Sequence, residues 1–276
     1  MPGEEFQYLE YLLIFALFGL VSGYASGLFG IGGGILRIPI FVLIFPAFGI
    51  HGDVEMPVAA ATSLALAVPA GYLALRKQMK LGNFDPAYFR SWAIGLTVGV
   101  LIGITAGPYV SSFALKICFL VFLLAMAVYF GLVPDHVVVC RQPPTGLPQI
   151  LLSGSIGAYV VMIGVAGGAA ATPVMKACSL PLTRALAIGS GTSMIVSALG
   201  TAGGIWNGWG VPGRPDWCLG FIDGIIFLAM FPGIYLATPW GVATGHRLDK
   251  QWLKRIYAVF LLAISVVMVA HLLASG

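Results

Sequence analysis

The sequence predicts an all-α polytopic membrane protein made of two inverted-topology repeats. Each repeat has a glycine-broken re-entrant or discontinuous helix followed by three transmembrane helices. The prediction rests on composition, on long apolar stretches and on an internal duplication. Of the 276 residues, 59% are hydrophobic and only 9% are charged, with a mean hydropathy of +0.97. A soluble domain with that balance could not cover its surface with polar groups, so the lipid bilayer is its expected surrounding.

Six apolar stretches are long enough for the roughly 20 residues that a spanning helix needs. They lie near 57–75, 92–111, 115–133, 183–206, 219–244 and 253–274. Two further apolar regions, 8–48 and 149–182, are each interrupted by glycines and followed by a short return piece. The first such piece, 35–48, would be roughly 21 Å long as a helix, less than the ~30 Å hydrocarbon core. These two regions are therefore predicted to be broken helices.

The order of motifs in the first half recurs in the second half. A constant spacing of 134 residues relates Gly30, Gly33, Gly34 and Pro39 to Gly164, Gly167, Gly168 and Pro173. The pair Thr62-Ser63 recurs as Thr192-Ser193, and the run Val-Phe-Leu-Leu-Ala occurs at 121–125 and 259–263. A duplication with small loop changes explains this order. The predicted units are a first repeat at 1–133, a linker at 134–148 and a second repeat at 149–276.

The distribution of Lys and Arg decides between parallel and inverted repeats. Twelve cations outside the broken regions are counted as loop charges. One crossing per broken region divides them six against six. If each broken region returns to its own side, ten share one side and only Lys116 and Arg214 lie opposite. That excess predicts inverted repeats, with basic loops and the linker cytoplasmic and both termini outside, an architecture typical of secondary transporters. Two full crossings per broken region would give the same parity.

The glycine breaks predict an anion-binding site. The first N–H groups of a helix lack intrahelical partners, and the helix dipole adds roughly half a positive charge there. Inverted symmetry would bring the two breaks together near the midplane. Arg37, about one turn into the first return helix, can bind a sulfonate or carboxylate through two parallel hydrogen bonds. The candidate substrate-binding residues are Gly32, Gly33, Gly34, Arg37, Thr62, Ser63, Gly167, Gly168, Ser190, Thr192 and Ser193.

These features also have structural interpretations. Glycine clusters allow helices to pack closely, and membrane hydroxyls often bond the carbonyl four residues earlier. Arg37 could instead pair with an acid or with backbone carbonyls, or extend to an interface. Asp85 and Asp223 are interpreted as helix N-caps rather than proton carriers. Lys176 could face either the pathway or the interface.

The motifs resemble the signature of the sulfite exporter TauE/SafE family. The resemblance is carried by the run 27–39, its weaker echo at 163–168, the two Thr-Ser pairs, and Gly241 before a basic loop. It implies a bacterial or archaeal inner-membrane transporter of sulfur-containing anions such as sulfite, sulfoacetate and other organosulfonates. Arg37 stands where the family pattern leads us to expect an apolar or small residue. This departure points to a larger or more strongly charged anion than sulfite.

The functional hypothesis is a secondary carrier, working as an exporter, that moves a small sulfite- or sulfonate-type anion by alternating access. No enzymatic activity, cofactor or nucleic-acid partner is expected. The four cysteines show no paired spacing, which predicts neither a metal site nor a disulfide framework, and the absence of a nucleotide motif argues against a primary pump. A homo-oligomer is left open. The main alternative is a non-transporting membrane scaffold or assembly subunit. An intramembrane serine protease, with Ser190 as its nucleophile, is the weaker one.

Overall fold

A computed structural model describes residues 2–29, 33–50, 52–133, 139–245 and 250–275. Within these ranges the chain forms ten α-helices, three short 3-10 helices and one two-stranded hairpin. The α-helices are α1 Pro2–Phe29, α2 Gly34–Ile44, α3 Glu55–Lys80, α4 Pro86–Ala106, α5 Ser112–Leu132, α6 Leu147–Met162, α7 Gly168–Ala177, α8 Leu182–Asn207, α9 Gly224–Gly245 and α10 Lys250–Ser275. The 3-10 helices are Phe45–Phe48, Gly52–Val54 and Gly107–Tyr109, and the hairpin pairs β1 Cys218–Leu219 with β2 Ile222–Asp223.

Five segments of the described chain are long and apolar enough to cross a membrane. They are Gly52–Lys80, Pro86–Tyr109, Ser112–Leu132, Leu182–Asn207 and Gly224–Gly241. They match five of the six predicted stretches, and the sixth falls within α10. The fifth prediction began too early, because residues 218–223 form the hairpin before α9 begins. The all-α polytopic membrane fold is thus confirmed.

In each broken region a longer helix is followed by a short return helix. The return helix α2 has 11 residues and α7 has 10, which makes them about 16 and 15 Å long. Neither could span a ~30 Å hydrocarbon core alone. Gly33 and Gly164 have φ angles of 70° and 72°, in the left-handed region that side chains with a Cβ disfavour. The turns between the helices therefore require glycine at these two positions.

Helix α4 packs against α6 through an interface lined with glycine. A Cβ added to Gly95 would lie 2.7 Å from the Ile150 Cα, and one added to Gly103 would lie 3.0 Å from the Ala158 Cα. Backbones approach this closely only where side chains are absent, a common arrangement between membrane helices. The pairing order, 95 with 150 and 103 with 158, shows that the two helices run parallel.

Helix α9 packs against α1 in the same way. A Cβ on Gly233 would lie 2.9 Å from the Ala16 carbonyl oxygen, and Gly241 contacts Tyr24 through its backbone. This pair is also parallel, with 16 beside 233 and 24 beside 241. The contact of Gly95 with residue 150 therefore has a counterpart in the contact of Gly233 with residue 16. Positions 95 and 233 are 138 residues apart and positions 16 and 150 are 134 apart, as in the motif repeats of the sequence. Each half of the chain contributes its first helix to the other half.

Helices α3 and α8 form the centre of the molecule. Their spanning segments are 67% and 61% buried, against 33–39% for the other three segments. Gly71 lies against Met194, with a Cβ to Cα separation of 3.3 Å, and Gly204 lies against the Ala61 side chain at 2.6 Å. The pairing of 71 with 194 and 61 with 204 shows that α3 and α8 run antiparallel.

Candidate functional site

The two glycine breaks meet beside the middle of α3. The Ser63 hydroxyl donates a hydrogen bond of 3.1 Å to the Gly164 carbonyl in the second break. A Cβ added to Gly34, the first residue of α2, would lie 3.0 Å from that same carbonyl oxygen and 3.2 Å from Ser63 Oγ. The first return helix, the second break and α3 therefore touch at one point. Gly32 lies outside the described residues.

Ser193 occupies the corresponding place at the second return helix. Its Oγ accepts a hydrogen bond of 2.9 Å from the backbone N–H of Gly168, the first residue of α7. Gly167, the residue before Gly168, packs against Thr192. A Cβ added to Gly167 would lie 2.5 Å from the Thr192 methyl carbon. The Gly168 N–H thus has a hydrogen-bond partner within the protein, whereas the sequence predicted an unpaired N–H group at this helix start. An anion at this helix start would meet the Ser193 hydroxyl first.

Arg37 is the largest charged group at the junction, and its side chain is fully buried. Its Nε donates to Ser22 Oγ at 3.0 Å, and its Nη1 donates to the Ser63 carbonyl at 2.7 Å. The guanidinium also lies directly against Gly33, which leaves no room for a Cβ there. Arg37 thus joins α1, α2 and α3. Its bond to the Ser63 carbonyl is one of the structural alternatives considered from the sequence, pairing with a backbone carbonyl. A buried cation is tolerable only with such partners.

The remaining candidate hydroxyls join neighbouring helices or bond their own helix. Thr62 Oγ1 accepts from the Asp223 N–H at 2.9 Å, and Thr192 Oγ1 accepts from Trp92 Nε1 at 2.8 Å. Ser190 donates to the carbonyl four residues earlier in α8 at 2.8 Å. Thr62 and Thr192 therefore hold neighbouring elements against α3 and α8, and among the described residues neither hydroxyl bonds a break glycine.

Two cavities lie at opposite ends of the α3–α8 pair. The larger, about 490 Å³, is called the Asp53 cavity here and is lined by residues that include Asp53, Ala60, Leu64, Val161, Gly204 and Asn207. The smaller, about 240 Å³, is called the Lys77 cavity and is lined by residues that include Ser26, Ala74, Lys77, Ser190, Ser193 and Thr238. Ser26 packs 3.1 Å from a Cβ placed on Gly33, and Ser193 bonds Gly168. The Lys77 cavity is therefore lined by two serines that each contact one of the breaks.

The predicted N-caps are confirmed. Asp85 Oδ1 accepts from the N–H groups of Ala87 and Tyr88, both at 3.1 Å, at the start of α4. Asp223 Oδ1 accepts from the Ile226 N–H at 2.9 Å at the start of α9. Burial raises the pKa of Asp223, and the hydrogen bonds it accepts oppose that rise. Both carboxylates thus hold helix starts.

One prediction about charge is wrong: Lys116 is not a loop residue. It lies within α5, is buried, and forms an ion pair of 2.8 Å with Glu55 in the first turn of α3. Hydropathy averages over an apolar stretch, so it does not register one buried lysine whose partner lies 61 residues away. Ser22 was also missed, although Ser22 and Ser26 are the small polar residues, one turn apart, of an otherwise apolar segment of α1.

The fold and this junction define a class: a multi-pass α-helical membrane protein in which the start of one return helix meets a second glycine break beside a buried cation. The chain belongs to the sulfite exporter TauE/SafE family, whose sequence model matches residues 15–268. The resemblance drawn from the glycine motifs is thereby confirmed.

Similar proteins are named as transporters in three distant organisms. A "probable membrane transporter protein" of Haemophilus influenzae is 27% identical over 259 residues, covering 93% of this chain and 97% of the relative. One of Methanocaldococcus jannaschii is 26% identical over 266 residues, covering 91% and 92%. One of Bacillus subtilis is 24% identical over 271 residues, covering 91% and 95%. No solved structure matches the chain significantly.

Proposed function

We propose that the protein is a secondary transporter, working as an exporter, of a small sulfur-containing anion such as sulfite or an organosulfonate like sulfoacetate. The observation that carries the proposal is the junction itself. Two glycine-broken helices converge beside Arg37, a fully buried cation, with a serine hydroxyl at the start of each return helix. The N-terminus of α2, the serine hydroxyls and a guanidinium are donors of the kind that an oxyanion requires, whereas the first N–H groups of α7 are already paired.

The proposed architecture is an inverted-topology repeat. Helices α3 and α8, which occupy the same position in the two halves, run antiparallel. The α4–α6 interface recurs as α9–α1 at the same register, and α2 lies on α3 as α7 lies on α8. These exchanges are what a two-fold axis in the membrane plane would produce. Rocking of one half against the other would then expose the junction to each side in turn.

We place the Lys77 end of the molecule in the cytoplasm. Lys77, Lys80 and Arg90 lie at this end, where α3 finishes and α4 begins, and so does the start of α8 with Arg184. At the opposite end of the molecule, Trp206 is exposed, as expected for a tryptophan at a membrane interface. An anion that leaves a cell with a negative interior gains about 2.3 kcal/mol per charge per 100 mV. Export therefore requires no coupling ion.

Anion-dependent thermal stabilisation of the purified full-length protein tests this function. Sulfite, thiosulfate, sulfoacetate and taurine are titrated, with chloride at equal ionic strength as the reference. A bound anion stabilises the folded state by about 2.7 kcal/mol at 100 times its dissociation constant, so the midpoint temperature should rise and then saturate. If no sulfur anion exceeds chloride, the proposal fails and the scaffold alternative is favoured.

Variants assign the effect to the junction. Arg37→Gln should abolish the anion-dependent rise, whereas Arg90→Gln, at an exposed arginine, removes the same charge and should keep it. Because Arg37→Gln also removes bonds that hold α1 and α3, it is paired with Ser22→Ala. That variant keeps the charge and removes only the Nε partner, so it should fold and show a weaker anion response. A full response in both junction variants would exclude Arg37 from the site.

A further inference from the structure

The two cavities occupy equivalent places in the two halves of the chain. Ala60 in the Asp53 cavity matches Ser190 in the Lys77 cavity, and Gly204 matches Ala74 with the same spacing of 130 residues. Each cavity lies at one end of the antiparallel α3–α8 pair, and the Ser63–Gly164 contact lies between them. The two cavities therefore lie on either side of the point where the glycine breaks meet.

Their linings differ at matched positions in a way that distinguishes charges. Lys77 corresponds to Asn207, which lines the Asp53 cavity, and Ser190 corresponds to Ala60. Among the described lining residues, Lys77 is the only charged group of one cavity and Asp53 the only charged group of the other. The Lys77 cavity thus attracts anions, and the Asp53 cavity repels them.

The Lys77 cavity also has the size and the donors for a small oxyanion. Its volume of about 240 Å³ is below the roughly 300–1,000 Å³ of sites for drug-sized ligands. Ser193 accepts its bond from Gly168, so its own O–H can donate into the cavity that it lines. Ser26, buried on α1, lies between this cavity and Gly33, against which the Arg37 guanidinium rests. A bound anion would therefore lie close to both helix starts.

We propose that the Lys77 cavity is the cytoplasmic loading site for a sulfite- or sulfonate-type anion and that the Asp53 cavity is the low-affinity release path. This inference rests on the proposed transport function and adds to it the kinetic asymmetry of the two faces. A carrier cannot change the equilibrium across the membrane. The asymmetry therefore appears as a lower half-saturation concentration at the Lys77 face than at the Asp53 face.

The test measures uptake of radiolabelled sulfite and sulfoacetate into membrane vesicles of both orientations that contain the full chain. Wild type should half-saturate at a lower concentration from the Lys77 face. Lys77→Asn, which installs the residue of the matched position, should raise that concentration about tenfold, the change expected when about 1.4 kcal/mol of binding is lost. Asp53→Asn should lower the concentration at the opposite face only.

Lys80→Asn is the matched control, since Lys80 is an exposed lysine one turn away in α3 that does not line the cavity. It should behave as wild type at both faces. Ser26→Ala gives an independent measurement inside the cavity and should also raise half-saturation at the Lys77 face alone. If wild type moves no anion in either orientation, the proposed function itself is refuted. If wild type transports but Lys77→Asn and Ser26→Ala match Lys80→Asn, only the loading site is refuted.

Discussion

The ion pair between Lys116 and Glu55 gives a quantitative prediction about stability. The pair is 2.8 Å long, and its side chains are only 9% and 6% exposed. Removing one partner of a buried pair typically destabilises a protein by about 3–5 kcal/mol, because the other charge stays buried. Glu55 is the first residue of α3 and Lys116 the fifth of α5, so the pair lies near two helix ends and we expect the lower value, about 3 kcal/mol for Lys116→Met. At roughly 2–4 °C per kcal/mol, the unfolding midpoint should fall by about 6–12 °C.

A double-mutant cycle checks that reasoning by thermal unfolding of the purified protein. Glu55→Gln alone should cost about 2 kcal/mol, since it removes one charge and keeps a polar side chain next to Lys116. The double variant should lose about 2 kcal/mol rather than the 5 kcal/mol that additivity gives, because no charge is left unpaired. Lys80→Met, at an exposed lysine, should change stability by less than about 0.5 kcal/mol. Additive losses would show that the pair does not act as a unit.

Two further predictions concern helix packing and sidedness. Gly99→Ala should strongly destabilise the fold, because the new Cβ would overlap the backbone of α6. Gly131→Ala should be tolerated, since the nearest neighbour of its Cβ would lie at an ordinary 3.6 Å. Thermal unfolding compares the two variants, and equal midpoint temperatures would contradict the close packing of α4 on α6. A membrane-impermeant maleimide at pH 7.5 should label exposed Cys140 in inside-out vesicles alone. Cys178 should stay unlabelled, because burial and the adjoining Cys140 thiol raise the pKa of Cys178 to about 11, which leaves little thiolate. Labelling of Cys140 from the outside would reverse the proposed orientation.

Local features of this protein were predictable because their causes are local. Glycine at 33 and 164 ends regular helix wherever it adopts positive φ, and Asp85 caps a helix through its own neighbours. The break positions, return helices and caps could therefore be predicted from short segments. The recurring order of motifs added long-range information, since it placed two glycine breaks at matched positions, and the structure brings them together where Gly34 meets the Gly164 carbonyl.

Partners across the fold were not predictable by the same means. Two acceptors of Arg37 are Ser22 and the Ser63 carbonyl, separated from it by 15 and 26 residues. A backbone carbonyl is present at every residue, so nothing in the sequence distinguishes the one at Ser63. Likewise, Lys116 contributes to the charge count as any other lysine does, although packing buries it. Cavities depend on how several helices leave space, which no single stretch encodes.

The parallel contact between α1 and α9 has a consequence for biosynthesis. Gly19 lies against Met230, about 210 residues further along the chain. At roughly 5–20 residues per second, α1 emerges from the ribosome some 10–40 s before its partner. During that interval its glycine-lined face meets lipid or the insertion machinery instead of a helix. Because α9 is synthesised late, the packing of α1 is complete only after the second half of the chain has been inserted. A truncated product should therefore be degraded early by membrane proteases.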